Sequence, residues 1–193
     1  MRNKNNQSGA TMVEMLGVLC VITALGISTF KLAGNLFTSF RVYAVESEVR
    51  DIQKSIKDRY SFDGDYSELC DITADKLNQN KLVPSQMYTN GGIYNRLGGN
   101  VKVGCVDGGD YYTIEFDSLS NRACLNLAQI NWFNRGTTDL VSMTINSTPY
   151  GIKSTNTQNK LPVTASMAAA VCVSENVKSS DNVKFNTIIW VFQ

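Results

Sequence analysis

The sequence contains no histidine, and this absence removes several kinds of enzyme at once. The chain therefore cannot be a hydrolase that uses a histidine base, and it cannot bind a metal through an imidazole ligand. Paired carboxylates or a serine–lysine dyad are compatible with the composition, but no such pair stands at a recognisable spacing. We therefore expect no enzymatic activity, no catalytic residues and no cofactor.

An excess of charge of one sign is also missing. The 193 residues carry 18 Lys and Arg against 17 Asp and Glu. Beyond residue 40 the balance is 15 against 16, without a cluster rich in Lys or Arg. A nucleic-acid surface needs such a cluster, so no nucleic-acid partner is expected. The length allows one domain plus an anchor.

What the chain does have is one long apolar run near its amino end. Between Ala10 and Phe30 there are 21 residues with a single charge, Glu14. As a helix this run is about 30 Å long, enough to cross the hydrocarbon core of a bilayer. A carboxylate in such a segment costs roughly 2.5–3.5 kcal/mol at the bilayer centre and less near its edge. We therefore expect Glu14 to have a partner.

A short polar leader precedes the apolar run. Residues 1–9 carry two basic side chains and end in Gly9, which is followed by the small residue Ala10. A secretory signal peptide is disfavoured, because its apolar core is typically about 7–15 residues long and ends at a small-residue cleavage site. An ordinary signal anchor, with Glu14 reaching the membrane interface, stays open as an alternative.

The leader, the glycine boundary, Thr11, Glu14 and the long apolar helix together resemble a type IV prepilin. The resemblance implies that a membrane-bound prepilin peptidase cuts between Gly9 and Ala10 and methylates the new amino terminus. It also implies that Glu14 pairs with the amino-terminal ammonium of a neighbouring subunit in a helical filament. Many relatives have Phe or Met at the first mature position, where this chain has Ala10. The expected organisation is a prepilin leader (1–9), the transmembrane and assembly half of a long helix (10–37) and an exported head (38–193).

The leader's positive charge also sets the expected orientation. By the positive-inside rule the amino end stays in the cytoplasm and residues from about 41 onward are exported. We expect a single-pass protein of the bacterial inner membrane that later joins an extracellular pilus or a periplasmic pseudopilus.

Four of the five cysteines fall in the exported part, where disulfides can form. They are Cys70, Cys105, Cys124 and Cys172, while Cys20 lies in the apolar run. Four cysteines allow three connectivities, and spacing alone does not choose among them. Zinc is the rival interpretation, but the chain lacks both histidine and a Cys-x-x-Cys pair, so no metal site is expected.

The first helix is expected to continue beyond the membrane. From Val45 to Tyr60 apolar residues recur every three or four positions with charges between them, which is typical of a helix with one face on a globular head. These residues are Val45, Val49, Ile52, Ile56 and Tyr60. The sequence Asp63-Gly64-Asp65 is a turn signal that should end the helix.

Apolar alternation then predicts a β-hairpin, with strands at 101–105 and 112–116 joined by residues 107–110. Two shorter helices are expected. The first follows an N-cap at Thr73 and ends at Pro84, and its apolar side consists of Leu77, Leu82 and Val83. The second is capped by Ser120 and carries on one side Cys124, Leu127, Ala128 and Trp132. The remaining predictions are a helix at 162–173, strands at 140–145 and 183–192, and loops at 88–100 and 146–161. An antiparallel sheet packed against the outer half of the long helix satisfies this order and gives an α+β fold.

This arrangement resembles the head of type IVb pilins. In that family a cysteine on a helix after the hairpin is bonded to one near the carboxyl end, and Cys124 and Cys172 occupy those places. The resemblance thus implies a Cys124–Cys172 disulfide, with Cys70 and Cys105 as the remaining pair and Cys20 as a free thiol. It is close over residues 8–30 and only architectural after residue 60.

Acidic residues gather in two short segments and raise the question of calcium. The clusters are Asp63, Asp65, Glu68 and Asp71, and Asp107 with Asp110. Their spacing is not that of an EF-hand loop and the ligand count is low, so solvated loops are favoured.

Two further patterns have simple interpretations. Asn146-Ser147-Thr148 matches the glycosylation pattern, which is short enough to occur by chance. Five aromatic residues on predicted strands are expected to be core or cross-strand partners rather than a binding platform. They are Tyr111, Tyr112, Phe116, Trp190 and Phe192.

The sequence therefore predicts a structural subunit of a type IV pilus. Its expected partners are other pilin subunits, the prepilin peptidase, the inner-membrane assembly platform and the lipid bilayer. A minor pilin or a type II secretion pseudopilin stays open as an alternative, and so does a membrane-anchored periplasmic enzyme or binding domain. A mature protein nine residues shorter, with a methylated Ala10, would exclude the last of these.

Overall fold

The computed structural model describes residues 8–60, 62–132, 139–151, 159–173 and 185–193, with the backbone alone for 8–13, 24–41 and 107. Its helices are α1 (Ser8–Tyr60), α2 (Ala74–Gln79), α3 (Asn121–Ala128) and α4 (Ala165–Val171). Its strands are β1 (Tyr88–Thr89), β2 (Gly92–Ile93), β3 (Val101–Val106), β4 (Tyr111–Leu119), β5 (Leu140–Ile145), β6 (Thr148–Gly151) and β7 (Asn186–Phe192). The chain divides between Phe40 and Arg41 into two compact units, which are described separately.

The first unit contains the amino-terminal part of α1. Six large apolar side chains between residues 15 and 22 are exposed, each by 57–73%. The Thr23 hydroxyl donates to the Leu19 carbonyl at 2.8 Å, so this polar group is satisfied within the helix. Among the residues described with their side chains, no helix provides an apolar segment as long as a bilayer crossing requires.

In the second unit the last turns of α1 form one wall of the core. Val45, Val49, Ile52 and Ile56 are fully buried, which confirms the predicted apolar stripe. The helix ends after Tyr60, whose carbonyl accepts the Gly64 N–H at 3.0 Å. Gly64 has φ +63°, a conformation that glycine adopts without a steric penalty, and the predicted turn is confirmed.

The opposite wall is a five-stranded sheet in the order β3-β4-β7-β5-β6, with every neighbouring pair antiparallel. Strand β7 lies at the centre, and its alternating residues Ile188, Trp190 and Phe192 are buried on the core face. Trp190 stands opposite Ile114 of β4 and Met143 of β5, and all three are buried with the α1 stripe in one core. The predicted α+β fold is confirmed.

Aromatic contacts connect the end of α1 with the sheet. Ring centroids are 4.7 Å apart for Tyr66 and Tyr112, 5.4 Å for Tyr112 and Phe192, and 5.4 Å for Trp132 and Trp190. Four of the five strand aromatics that the sequence assigned to the core are buried, and Tyr111 is half-buried.

Two segments predicted as loops contain short strands. In 88–100, Asn90 (φ 50°) and Gly91 (φ 78°) form a two-residue turn that pairs β1 with β2. In 146–161, Asn146 (φ 46°) and Ser147 (φ 76°) do the same between β5 and β6. Left-handed pairs of this kind match the twist of a hairpin, and the polar composition of both segments concealed the strands.

Several helix boundaries also differ from the prediction. Helix α2 starts at the predicted Thr73 cap but ends at Gln79 rather than at Pro84. The helix stops there because Lys81 has a left-handed backbone conformation (φ 55°) and the Leu82 N–H donates to the Leu77 carbonyl at 2.9 Å. Leu82 and Val83 are therefore buried beyond the helix rather than on it, and Trp132 is likewise buried four residues past the end of α3.

The last two elements are shorter than predicted. Helix α4 begins after Thr164, whose hydroxyl accepts the Met167 N–H. Residues 162–164 therefore precede the helix, and Cys172 and Val173 follow it. Strand β7 begins at Asn186, and residues 183–184 lie outside the described residues.

Candidate functional site

The predicted processing and assembly residues lie at the start of α1. Gly9 and Ala10 follow the first described residue, Ser8, and belong to the helix, while residues 1–7 of the leader lie outside the described residues. Glu14 comes one helical turn after Ala10 and has an exposed side chain. It directly precedes the exposed apolar side chains of residues 15–22. A carboxylate beside such a surface favours a partner that brings both apolar contacts and a positive charge.

Two disulfides hold the head: the Cys124–Cys172 bond that the resemblance to type IVb pilins implied, and the bond between the two cysteines that this pairing leaves over. Cys70 and Cys105 have Cα atoms 4.6 Å apart and connect the 3-10 turn at Ser67–Leu69 to β3. Cys124 and Cys172 have Cα atoms 5.9 Å apart and connect α3 to the end of α4. The first bond has an exposed end at Cys70, whereas both cysteines of the second are buried. Cys20 is a free, exposed thiol.

Asparagine side chains fix the segment around Cys172. The Asn186 amide is buried, donates to the Leu119 carbonyl at 3.1 Å and accepts the Val173 N–H at 2.7 Å. The Asn121 amide donates to the Cys172 carbonyl at 3.1 Å. Because buried amides are costly when unpaired, this network ties the second disulfide to the central strand and to α3.

Asn146, the possible glycosylation site, belongs to the same network. Its amide nitrogen donates to the Val171 carbonyl at 2.9 Å and to Asn186 Oδ1 at 2.7 Å, and its oxygen accepts the Thr187 N–H at 2.9 Å. The amide nitrogen that a glycan would modify is thus already used in these two hydrogen bonds. The sequence pattern could not show this, because its partners lie 25 to 41 residues away.

The first acidic cluster is held by local hydrogen bonds. Asp65 Oδ1 accepts the Ser67 N–H at 2.8 Å, a bond that lowers the pKa of the Asp65 carboxyl. Glu68 Oε2 accepts the Tyr60 hydroxyl at 3.1 Å. Over the part of the chain that the structure describes with side chains, which leaves out Asp107, no group of three acidic or cysteine side chains is placed to hold a metal ion.

Charged side chains of α1 bind it to the loops of the head. Arg50 pairs with Glu46 at 3.0 Å, and its guanidinium lies 5.0 Å from the centre of the Trp132 ring. Lys57 pairs with Asp139, which precedes β5. Stacking of a guanidinium on an indole adds to its ion pair. Because Arg50 and Lys57 are seven residues apart, both contacts fix α1 along the same side of its apolar stripe.

Glu48 is the most deeply buried of these charges. Its side chain is 3% exposed, and its Oε2 accepts the Arg96 N–H at 3.2 Å. Arg96 Nε lies 3.3 Å from Oε1, on a side chain that is 55% exposed. Burial raises the pKa of the Glu48 carboxyl, against the lowering effect of Arg96. Glu48 was missed in the sequence, although it lies three residues after Val45 and four before Ile52, the spacing of the buried face.

The raised pKa of Glu48 predicts a pH-dependent stability. A carboxyl whose pKa is higher in the folded state binds its proton more tightly there, so folding is favoured as the pH falls from neutral toward the unfolded-state value. Urea unfolding of the wild-type chain should therefore show stability rising between pH 7 and pH 5 relative to Glu48→Gln, by up to about 1.4 kcal/mol for each unit of raised pKa. Asp58→Asn, at an exposed carboxylate of the same helix, is the matched control and should follow the wild type. Parallel curves for wild type and Glu48→Gln would contradict this explanation.

The family model described as PilS N terminal matches residues 40–193, and the chain belongs to the type IV pilin family. Membership implies assembly with other pilins into a pilus, and a location in the pilus or anchored in a membrane.

Solved structures of pilins are similar to this chain. A type IVb pilin from Salmonella typhi has 21% identity over 61% of this chain and 75% of its own, with a TM-score of 0.42. TcpA, a type IV pilin from Vibrio cholerae El Tor biotype, has 10% identity over 79% of this chain and 99% of its own, with a TM-score of 0.47. No curated protein matches the chain.

Proposed function

We propose that this chain is a structural subunit of a type IV pilus of the IVb kind, processed by cleavage after Gly9 and methylation of Ala10. Before assembly, residues 10–37 hold the precursor in the bacterial inner membrane and the head is exported. The subunit then leaves the bilayer for a helical filament of like subunits. The assembly platform and the prepilin peptidase are its membrane partners.

The observation that supports this proposal is the exposed apolar surface of α1 at residues 15–22. Exposure of apolar surface to water costs about 25 cal/mol per Å², so six large exposed side chains distributed around the helix strongly favour a lipid or protein environment. Both environments are supplied in succession, by the bilayer before assembly and by neighbouring helices afterwards. An ordinary anchor would use only the first.

The charge of Glu14 determines the position at which a neighbouring subunit can cover this surface. A charge at the edge of an apolar surface is unfavourable while unpaired. The ammonium of a neighbouring subunit's amino terminus removes that penalty only after assembly. Glu14 therefore selects the axial position of an incoming subunit and contributes little to the fold of the isolated chain.

The head supports a structural role, and we propose that it has no enzymatic activity. Its buried asparagine network and the contacts of Arg50 are used to connect its elements to one another. Two disulfides join its parts, and covalent bonds of this kind persist in oxidising compartments outside the cytoplasm.

Processing is tested by the variant Gly9→Val. A branched side chain at the boundary should not fit a peptidase pocket that selects glycine, so the full-length precursor should accumulate in the membrane. Gly17→Val is the matched control, because a Cβ at Gly17 meets nothing within 4 Å. Mass spectrometry of the membrane fraction should find the precursor for Gly9→Val and the shortened, methylated chain for Gly17→Val. Normal maturation of Gly9→Val would remove the main support for the proposed processing.

A further inference from the structure

We propose that the head carries a binding site for an alkylguanidinium group in a cavity beside the Glu48–Arg96 pair, and that Arg96 occupies this site until a ligand displaces it. The cavity has a volume of about 220 Å³, and Glu48, Met87, Tyr94 and Arg96 are among its lining residues. The chemistry that identifies the ligand is a positive, planar donor group on an aliphatic stem, as in an arginine side chain. Filament assembly is not needed for this site to act.

The buried carboxylate has fewer partners than a carboxylate usually takes. It offers about four acceptor positions. In the structure Oε2 accepts one backbone N–H, and Oε1 accepts no hydrogen bond from any described residue, although Arg96 Nε lies 3.3 Å away. A buried charge of this kind strongly favours an additional donor.

The present counter-ion is held loosely. The Arg96 side chain is 55% exposed, and its ion pair with Glu48 joins it to the core. The loop that carries it is fixed independently, because Asn95 Oδ1 accepts the Leu97 N–H at 2.8 Å and the Gly99 N–H at 3.2 Å. The side chain of Arg96 can therefore leave while its backbone N–H stays on Glu48.

The charge of the site favours a cation over an anion. Glu48 is almost fully enclosed, whereas Arg96 reaches water, so loss of the arginine from the site leaves a desolvated negative charge. Asp51, almost one turn further along α1, adds to the negative potential at Glu48.

The remaining lining suits the stem and plane of a guanidinium. Met87 is buried and supplies an apolar surface, and Tyr94 is a lining residue that is 40% exposed and supplies an aromatic ring. Guanidinium groups stack on such rings, and aliphatic stems pack on apolar surfaces while the charged end finds a polar partner.

The proposed competition between a ligand and Arg96 for Glu48 is tested by measuring ligand binding with and without the Arg96 side chain. Butylguanidinium is the probe and butylurea its neutral counterpart, both titrated by calorimetry into the full-length chain in detergent micelles. Arg96→Ala should bind butylguanidinium at least about tenfold more tightly than the wild type, a difference of about 1.4 kcal/mol, and binding should raise its unfolding temperature. Butylurea should produce neither effect.

Two further variants assign the effect to Glu48. The double variant Glu48→Gln/Arg96→Ala should lose the response, and Lys102→Ala, which breaks the exposed Lys102–Glu115 pair, should not gain one. If Arg96→Ala does not fold, the comparison of wild type with Glu48→Gln decides, since weak binding should be present in the first and absent in the second.

Tighter binding of a blocked arginine peptide than of butylguanidinium points to a protein as the source of the ligand, and equal binding points to a small alkylguanidine. Equal effects of butylguanidinium and butylurea, or an undiminished response in the double variant, would overturn the proposal.

Discussion

Filaments are expected to be nearly absent when Glu14 is replaced by alanine or glutamine, while membrane insertion, the disulfides and the stability of the head are unchanged. Loss of one member of a buried ion pair costs roughly 3–5 kcal/mol, which exceeds the 1.4 kcal/mol of a tenfold change in association. The yield of sheared filaments should thus fall by more than about tenfold, since each incoming subunit loses the pair. Glutamine keeps the shape of the side chain, so equal defects in both variants would identify the charge as the cause.

The control for Glu14 is another carboxylate of the same helix. Asp58 is exposed in the head part of α1, and Asp58→Ala should leave the filament yield near the wild-type level. Filament yield is compared with subunit retained in the membrane, which separates failed assembly from failed insertion. Unchanged yield in both Glu14 variants would show that the carboxylate merely reaches the membrane interface.

Removal of the buried disulfide is expected to have the largest effect on the head. Cys124 and Cys172 are 48 positions apart, and closing a loop of this size contributes about 4 kcal/mol in the chain-entropy model. The variant Cys124→Ser/Cys172→Ser also places hydroxyls where the cysteines are buried, so it should lose at least this much in the free energy of unfolding. Urea unfolding under non-reducing conditions measures the loss.

The exposed disulfide is the internal comparison. Cys70→Ser/Cys105→Ser removes a bond that closes a loop of similar size, with a separation of 35, but it leaves a polar group at position 70, where the cysteine already meets water. Its loss should be smaller, and mild reductant should open Cys70–Cys105 before Cys124–Cys172. Cys20→Ser should change neither quantity. Faster reduction of Cys124–Cys172, or a non-reducing peptide map with a Cys70–Cys124 peptide, would contradict the arrangement.

The parts of the fold that the sequence predicts are those with strong periodicity. The spacing of Val45, Val49, Ile52 and Ile56 is sufficient to identify the buried face of α1, and all four are fully buried. Strand alternation was equally informative for β3 and β4. Their observed bounds extend the predicted ones by one residue at the end of β3 and by four in total for β4.

The parts that the sequence missed depend on left-handed residues or on distant partners. Strand β6 follows two residues with positive φ, and its polar composition predicted a loop. Glu48 meets Arg96 across 48 positions, and Asn186 meets Leu119 across 67. Single polar residues of this kind have no periodicity, and only the folded chain shows which of them are buried together.

The order of strands adds a requirement on folding. Strand β7 is the last in the sequence and lies between β4 and β5, so the sheet cannot close before the carboxyl end has arrived. Pairings between distant segments of this kind are slow to form, because the loop between them must be closed first.

The central claim, that this chain is a subunit along the body of a pilus, is tested most directly by immunogold labelling of purified filaments with antibodies against the head. We expect gold particles along the whole length of each filament, together with the shortened, methylated chain in the same preparation. Labelling at the tips alone would identify a minor subunit. Filaments without any label, with the full-length chain retained in the membrane, would contradict the proposed function.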